Sequence, residues 1–184
     1  MRQTASDPSH RKPDQSKTGA GEAPKAGYDA KAGLTGAHEV LKNKLTSEIQ
    51  TGKVEVRSGP HGLVVSLRQA AFFVSDLAVI DPNTYPIIDK VGEVVKGLPN
   101  ALRFEGHTDA IPISNSKYAS NWELSAARSI AVLELLVKRH GIDHTRISIA
   151  GFADTVPIGS NDSEEGRARN RRVDLVIVKD PQQR

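Results

Sequence analysis

The chain has 184 residues, enough for one domain and a tail. Its 38% hydrophobic and 26% charged residues suit an ordinary globular domain, 4% aromatics call for a mostly aliphatic core, and a net charge of +3 is too weak a bias to imply nucleic acid. The lack of cysteine excludes disulfides and thiolate metal sites and fits a periplasmic protein as well as a cytosolic one; no run of about 18 apolar residues offers a membrane span, and the N-terminus lacks a signal-like apolar stretch.

From Met1 to about Gly33 there is almost no large apolar residue. Such a segment buries too little surface to offset its ordering entropy, so residues 1–33 are expected to be a disordered linker or tail. Reading it as a basic nucleic-acid arm is disfavoured, because its acids are interspersed with its bases. Leu34, Ala37, Leu41, Leu45 and Ile49 then recur at helical spacing and predict an amphipathic helix over 34–50, ended by Gly52. Lys53 to Arg57 and Gly62 to Leu67 read as two strands around the turn Ser58-Gly59-Pro60-His61. Ala70 to Ile80 is apolar but irregular. Asp81-Pro82-Asn83 opens a helix whose buried side carries Ile87, Ile88, Val91, Val94, Val95 and Leu98.

Ala101 to Gly106 is the next strand, followed by a polar loop over 110–119. Ser120-Asn121-Trp122-Glu123 has the form of a capping box, and the helix it starts runs to His140, with Gly141 as its stop. Arg146 to Ala150 reads as a strand, 151–162 as a loop, and Glu164 to Asn170 as a short helix. Arg171 to Val178 alternates, with Val173, Leu175 and Ile177 on one face, as a closing strand does. Strands alternating with helices of this length imply crossovers and some parallel pairing. The expected fold class is α+β: a two-layer sandwich, with a mixed β-sheet and its long helices on one face. The expected division is a tail (1–33), a leading helix (34–52), a domain (53–179) and a polar tail (180–184).

The strand at Phe104 delivers His107, Thr108 and Asp109 to its end, and the following helix carries Arg128. A carboxylate attracts an ammonium and a guanidinium grips a carboxylate, so Asp109 and Arg128 match the two ends of an amino-acid head group. The plainer reading is that the two pair with each other. His107 and Asp109, two apart on a strand, could share a face and ligate a metal, but no further metal signature accompanies them. No G-x-S-x-G element or catalytic cysteine points to hydrolysis. The basic run Arg167 to Arg172 lacks the interleaved aromatics of a nucleic-acid patch.

Three motifs occur in a fixed order: G-H-T-D at 106–109, N-W-E-L-S-A-A-R at 121–128 and E-G-R-A-R-N-R-R-V at 165–173. Together they resemble the OmpA-like peptidoglycan-binding domain of OmpA, Pal and MotB proteins, over roughly Val54 to Val178. The loop from Ile111 to Ser120 and the leading amphipathic helix are most similar to the flagellar stator, or MotB, branch. The resemblance implies that Asp109, in the Thr108-Asp109 pair, and Arg128 hold the diaminopimelate or equivalent end of a peptidoglycan stem peptide. Asn121 and Leu124 would line the same pocket, with Arg171 a secondary candidate. It implies no enzyme activity, no cofactor and no metal. It also implies a homodimer, a MotA-like membrane partner reached through a segment outside this chain, and a periplasmic domain tethered to the inner membrane by an N-terminal helix not present here. The alternatives are a general OmpA- or Pal-type envelope tether and a hydrolase acting on the same polymer. One departure is Val74, where the family commonly has Asp, with Asp76 as a substitute polar contact. On this reading Arg128→Ala weakens wall binding and leaves the fold intact.

Overall fold

The structure is a computed structural model that describes residues 30–74, 77–113 and 115–179. The expected linker up to residue 29, the contact expected of Asp76 and the tail beyond residue 179 lie outside the described residues.

The apolar stripe from Leu34 to Ile49 does form helix, in two pieces: α1 (Ala30–Lys44) and α2 (Thr46–Gln50). The break has a local cause. The Thr46 hydroxyl donates to the carbonyls of Lys42 and Asn43, both at 3.0 Å, and such back-bonding bends a helix. Leu34, Ala37, Leu41 and Leu45 are buried as the spacing requires.

Next come β1 (Val54–Gly59), β2 (Gly62–Arg68) and a single helical turn, α3 (Gln69–Phe72). This turn sits where the sequence reads as irregular. Phe72 and Phe73 are both buried there, and Phe73 bridges to Ile80. Asp81 caps a 3₁₀ turn that leads into α4 (Tyr85–Lys96). β3 (Leu102–His107), α5 (Asn121–His140), β4 (Ile147–Gly151), α6 (Glu164–Asn170) and β5 (Arg172–Val178) complete the chain. Gly141 ends α5 in the left-handed conformation at φ 64°, which glycine adopts without a Cβ clash.

The five strands form one sheet in the order β1-β2-β5-β3-β4. β3 and β4 run parallel, joined by the α5 crossover, while the other neighbours are antiparallel. The sheet is therefore mixed. One face carries Leu63, Val65, Leu102, Phe104, Leu175 and Ile177, packed against Leu41 of α1, Ile88, Val91 and Val95 of α4, and Val132 and Leu136 of α5. This is the two-layer α+β sandwich expected. No helix among the described residues is long and apolar enough to cross a membrane.

Among the described residues the opposite face carries no long helix and is laddered with charge. Asp174 pairs in register with Ser66 on one side and Glu105 on the other. Arg172 reaches Asp174 at 3.0 Å, and Arg57 reaches it at 3.5 Å.

Candidate functional site

Gly106 is where the site begins. A Cβ there would lie 1.9 Å from the Ser125 carbonyl oxygen, so only glycine lets α5 press onto the end of β3. That contact fixes the first turns of α5 beside the loop that leaves β3. The N-terminus of α5 is capped as its sequence predicts. Ser120 accepts from the Glu123 N–H at 3.4 Å, and Glu123 reaches back to the Ala119 N–H at 2.7 Å.

Thr108 and Asp109 lie just past the last residue of β3. The Thr108 N–H extends the pairing by donating to the Ala153 carbonyl at 2.8 Å. Asn121, the first residue of α5, ties the loop down. It donates to the carbonyls of Asp109 and Ile111 at 3.3 and 3.0 Å and accepts from the Ile113 N–H at 3.1 Å. From the other side, buried Asn170 accepts from the N–H groups of Ile158 and Gly159, both at 2.8 Å, and donates to Asn161. Asn161 in turn accepts from the Ala110 N–H at 3.2 Å. The Asn-Arg-Arg segment thus helps shape the loop around Asp109 from well down the chain.

These elements enclose a cavity of about 540 Å³. Thr108, Asp109, Asn121, Leu124, Arg128 and Arg171 all line it, so all six residues singled out in the sequence converge. Gln69, Ile111, Pro112, Ile113 and Asn115 complete the lining. Gln69 carries no sequence signal; it arrives because β2 pairs with β5 and its own N–H donates to the Arg171 carbonyl at 2.9 Å.

The charge pairing differs from the plain expectation. The Asp109 carboxylate takes Arg171 at 2.6 Å and the Ile111 N–H at 3.1 Å. Arg171 also donates to Glu164 at 2.5 Å. Burial works against the Arg171 charge, but the Glu164 and Asp109 carboxylates outweigh it and raise its pKa. Arg128 is 3% exposed, donates to the Leu77 carbonyl at 3.1 Å and lies 5.5 Å over the Phe73 ring. Arg128 is therefore both a lining residue and a support for Phe73 and Leu77. Arg128→Ala is expected to cost about 2–4 kcal/mol of stability, from a lost charge-assisted hydrogen bond and a cavity. A denaturant midpoint unchanged in that variant would refute the supporting role.

His107 does not share a face with Asp109. The strand ends at His107, so the alternation no longer applies at Asp109. His107 instead points to the charged face of the sheet, stacked on Phe152 with ring centroids 5.3 Å apart. Glu105, His107 and Asp174 place potential ligand atoms within 4.8 Å of one another. As a donor set they would suit a divalent ion. The surroundings oppose one: Arg172 and Arg57 sit on Asp174, and Arg103 bonds Glu105. Burial, then the Arg172 charge, pushes the His107 pKa down to about 4.

That depression makes a stability prediction. Between pH 6.5 and 4 the unfolded chain binds a proton that folded His107 refuses, so stability is full above about 6.5 and is lost as pH falls toward 4. The slope from this one group reaches at most about 1.4 kcal/mol per pH unit. His107→Phe keeps the stack on Phe152 and removes the titration. Its melting temperature should fall less than wild type over that window, and parallel curves would reject the assignment.

The comparisons with known proteins converge on one family. Residues 72–171 match the family described as OmpA. Motility protein B of Bacillus subtilis (strain 168) is 32% identical over 127 residues, which are 68% of this chain and 49% of that protein. Peptidoglycan-binding protein ArfA of Mycobacterium bovis is 36% identical over 106 residues, 57% of this chain and 31% of that protein. The chain thus spans half or less of the length of these curated relatives. Among solved structures, the cell wall anchor of the T6SS from Pseudomonas aeruginosa aligns with a TM-score of 0.69 at 33% identity, covering 75% of this chain and 96% of that one.

Proposed function

The chain belongs to the OmpA family, and on that footing we propose that it binds peptidoglycan non-covalently and anchors a flagellar stator to the cell wall. The observation that carries the binding part is the convergence of Asp109, Arg128 and Arg171 on one cavity. A carboxylate and two guanidiniums in a shared, partly enclosed space suit a ligand with both an ammonium and a carboxylate. The diaminopimelate-type end of a stem peptide has both. Leu124, Ile111 and Ile113 offer apolar contact to its aliphatic stem. No covalent step is needed, and the role is that of a binding module rather than an enzyme. The likeness to Motility protein B supports the stator assignment. With that assignment come a homodimer, a MotA-like membrane partner and a periplasmic position tethered to the inner membrane.

A second reading has its own support: the T6SS cell wall anchor has the same fold at 33% identity. On that reading the domain tethers another envelope assembly and has no motor role. The binding claim is common to both. Co-sedimentation of the 184-residue chain with purified insoluble sacculi tests it. Retention on sacculi, reversed by free stem tripeptide, is the expected result. A chain that stays in the supernatant would overturn it, and release of soluble fragments from the sacculi would point to a hydrolase instead.

A further inference from the structure

The polar groups around the cavity are unequally committed. The Thr108 hydroxyl donates to the Asp109 carbonyl at 2.8 Å. The Asn115 side chain accepts from the N–H groups of Lys117 and Tyr118, both at 2.8 Å. Asn121 is used at both ends of its amide, Arg128 is bonded to Leu77, and Asp109 and Arg171 are bonded to each other. Gln69 is the exception. It lines the same cavity, yet its carboxamide makes no hydrogen bond among the described residues.

Its backbone, in contrast, is held at both ends. The N–H donates to the Arg171 carbonyl and the carbonyl accepts from the Phe73 N–H, each at 2.9 Å. A fixed Cα and a half-buried, uncommitted carboxamide on the cavity wall leave that side chain available to a ligand. Resting on the peptidoglycan reading above, we propose that Gln69 is a specificity-determining residue. Its carboxamide hydrogen-bonds the carboxyl-derived group of the bound peptide and accepts that group either as a free carboxylate or as a primary carboxamide.

The tolerance follows from the chemistry of the side chain. A carboxamide has two N–H donors and one carbonyl acceptor. Toward a carboxylate it donates. Toward a carboxamide it can donate and accept at once. Glutamate at the same position could only accept, and it would add a negative charge to the wall of a cavity in which Arg171 already serves Asp109 and Glu164. The result would be repulsion of a free carboxylate and retention of an amidated one. Gln69 is only half-buried, so neither alanine nor glutamate there should disturb the fold.

The test uses two soluble stem tripeptides, identical except that the third residue's terminal carboxyl is free in one and a primary amide in the other. Titration calorimetry gives both affinities for wild type, Gln69→Glu and Gln69→Ala. Wild type is expected to bind the two peptides within about threefold of each other. Gln69→Ala should weaken both by about fivefold, the worth of one net hydrogen bond. Gln69→Glu should weaken the free acid by about tenfold or more and the amide by less than about threefold. Wild-type affinities in both variants, with sacculus binding intact, would overturn the role of Gln69 and leave the wall-binding reading standing. A wild-type chain that binds neither peptide nor sacculi would overturn both.

Discussion

Asp109→Asn is expected to reduce binding to sacculi by about tenfold to a hundredfold while the protein stays folded. The substitution keeps the size of the side chain and an oxygen for the Ile111 N–H, and removes the charge and the oxygen that accepts from Arg171. A hydrogen bond to a charged group contributes about 1.5–3 kcal/mol, which sets that range. The stability cost should be near 1 kcal/mol, because the ion pair given up with Arg171 is partly solvated on the arginine side. Asp109 is a cleaner probe than Arg128, whose buried guanidinium also supports Phe73 and Leu77. The measurement is a binding isotherm on sacculi beside a thermal melt. Undiminished binding with an unchanged melt would remove Asp109 from the site, and with it the argument from paired charges.

Gly106→Ala is expected to damage stability and binding together. The added methyl would sit 1.9 Å from the Ser125 carbonyl oxygen and 2.7 Å from the Ser129 hydroxyl. Backbone cannot yield as a flexible side chain can, so α5 has to move off β3. Overpacking of this kind costs about 3 kcal/mol, which for a domain of this size lowers Tm by about 6–12 °C. The displaced helix carries Asn121, Leu124 and Arg128, so the cavity opens at the same time. A variant with wild-type Tm and wild-type sacculus affinity would show that the close approach is not needed. Loss of Tm alone would confine Gly106 to folding.

What was legible in the sequence is what local pattern controls. The helices and strands follow from the 3.6- and 2-residue spacing of their apolar residues, and boundaries lie within a few residues where a cap or glycine marks them, as Ser120 and Gly141 do for α5. The break at Leu45 was not legible, because it depends on which carbonyl the Thr46 hydroxyl chooses. The turn α3 was missed because four residues carry too little periodicity to register. The six candidate residues were picked out mainly through ordered motifs, which report a shared design without reporting contacts.

Contacts are where the tertiary structure decided. The sequence by itself determined an aliphatic α+β sandwich and offered a candidate acid at Asp109 and a candidate base at Arg128, with Arg171 a secondary candidate implied by the family resemblance. Only the fold chose Arg171 as the partner that holds Asp109, since β5 enters the sheet beside β3 and brings Arg171 to the end where Asp109 sits. Only the fold buried Arg128 against the Phe73 ring, turned His107 to the opposite face from the core, and set Gln69 on the cavity wall. The physical reason is the same in each case. Spacing along the chain fixes which face a residue takes on its own element, whereas a partner is fixed by strand order and register, and those emerge only when the whole sheet closes on one core.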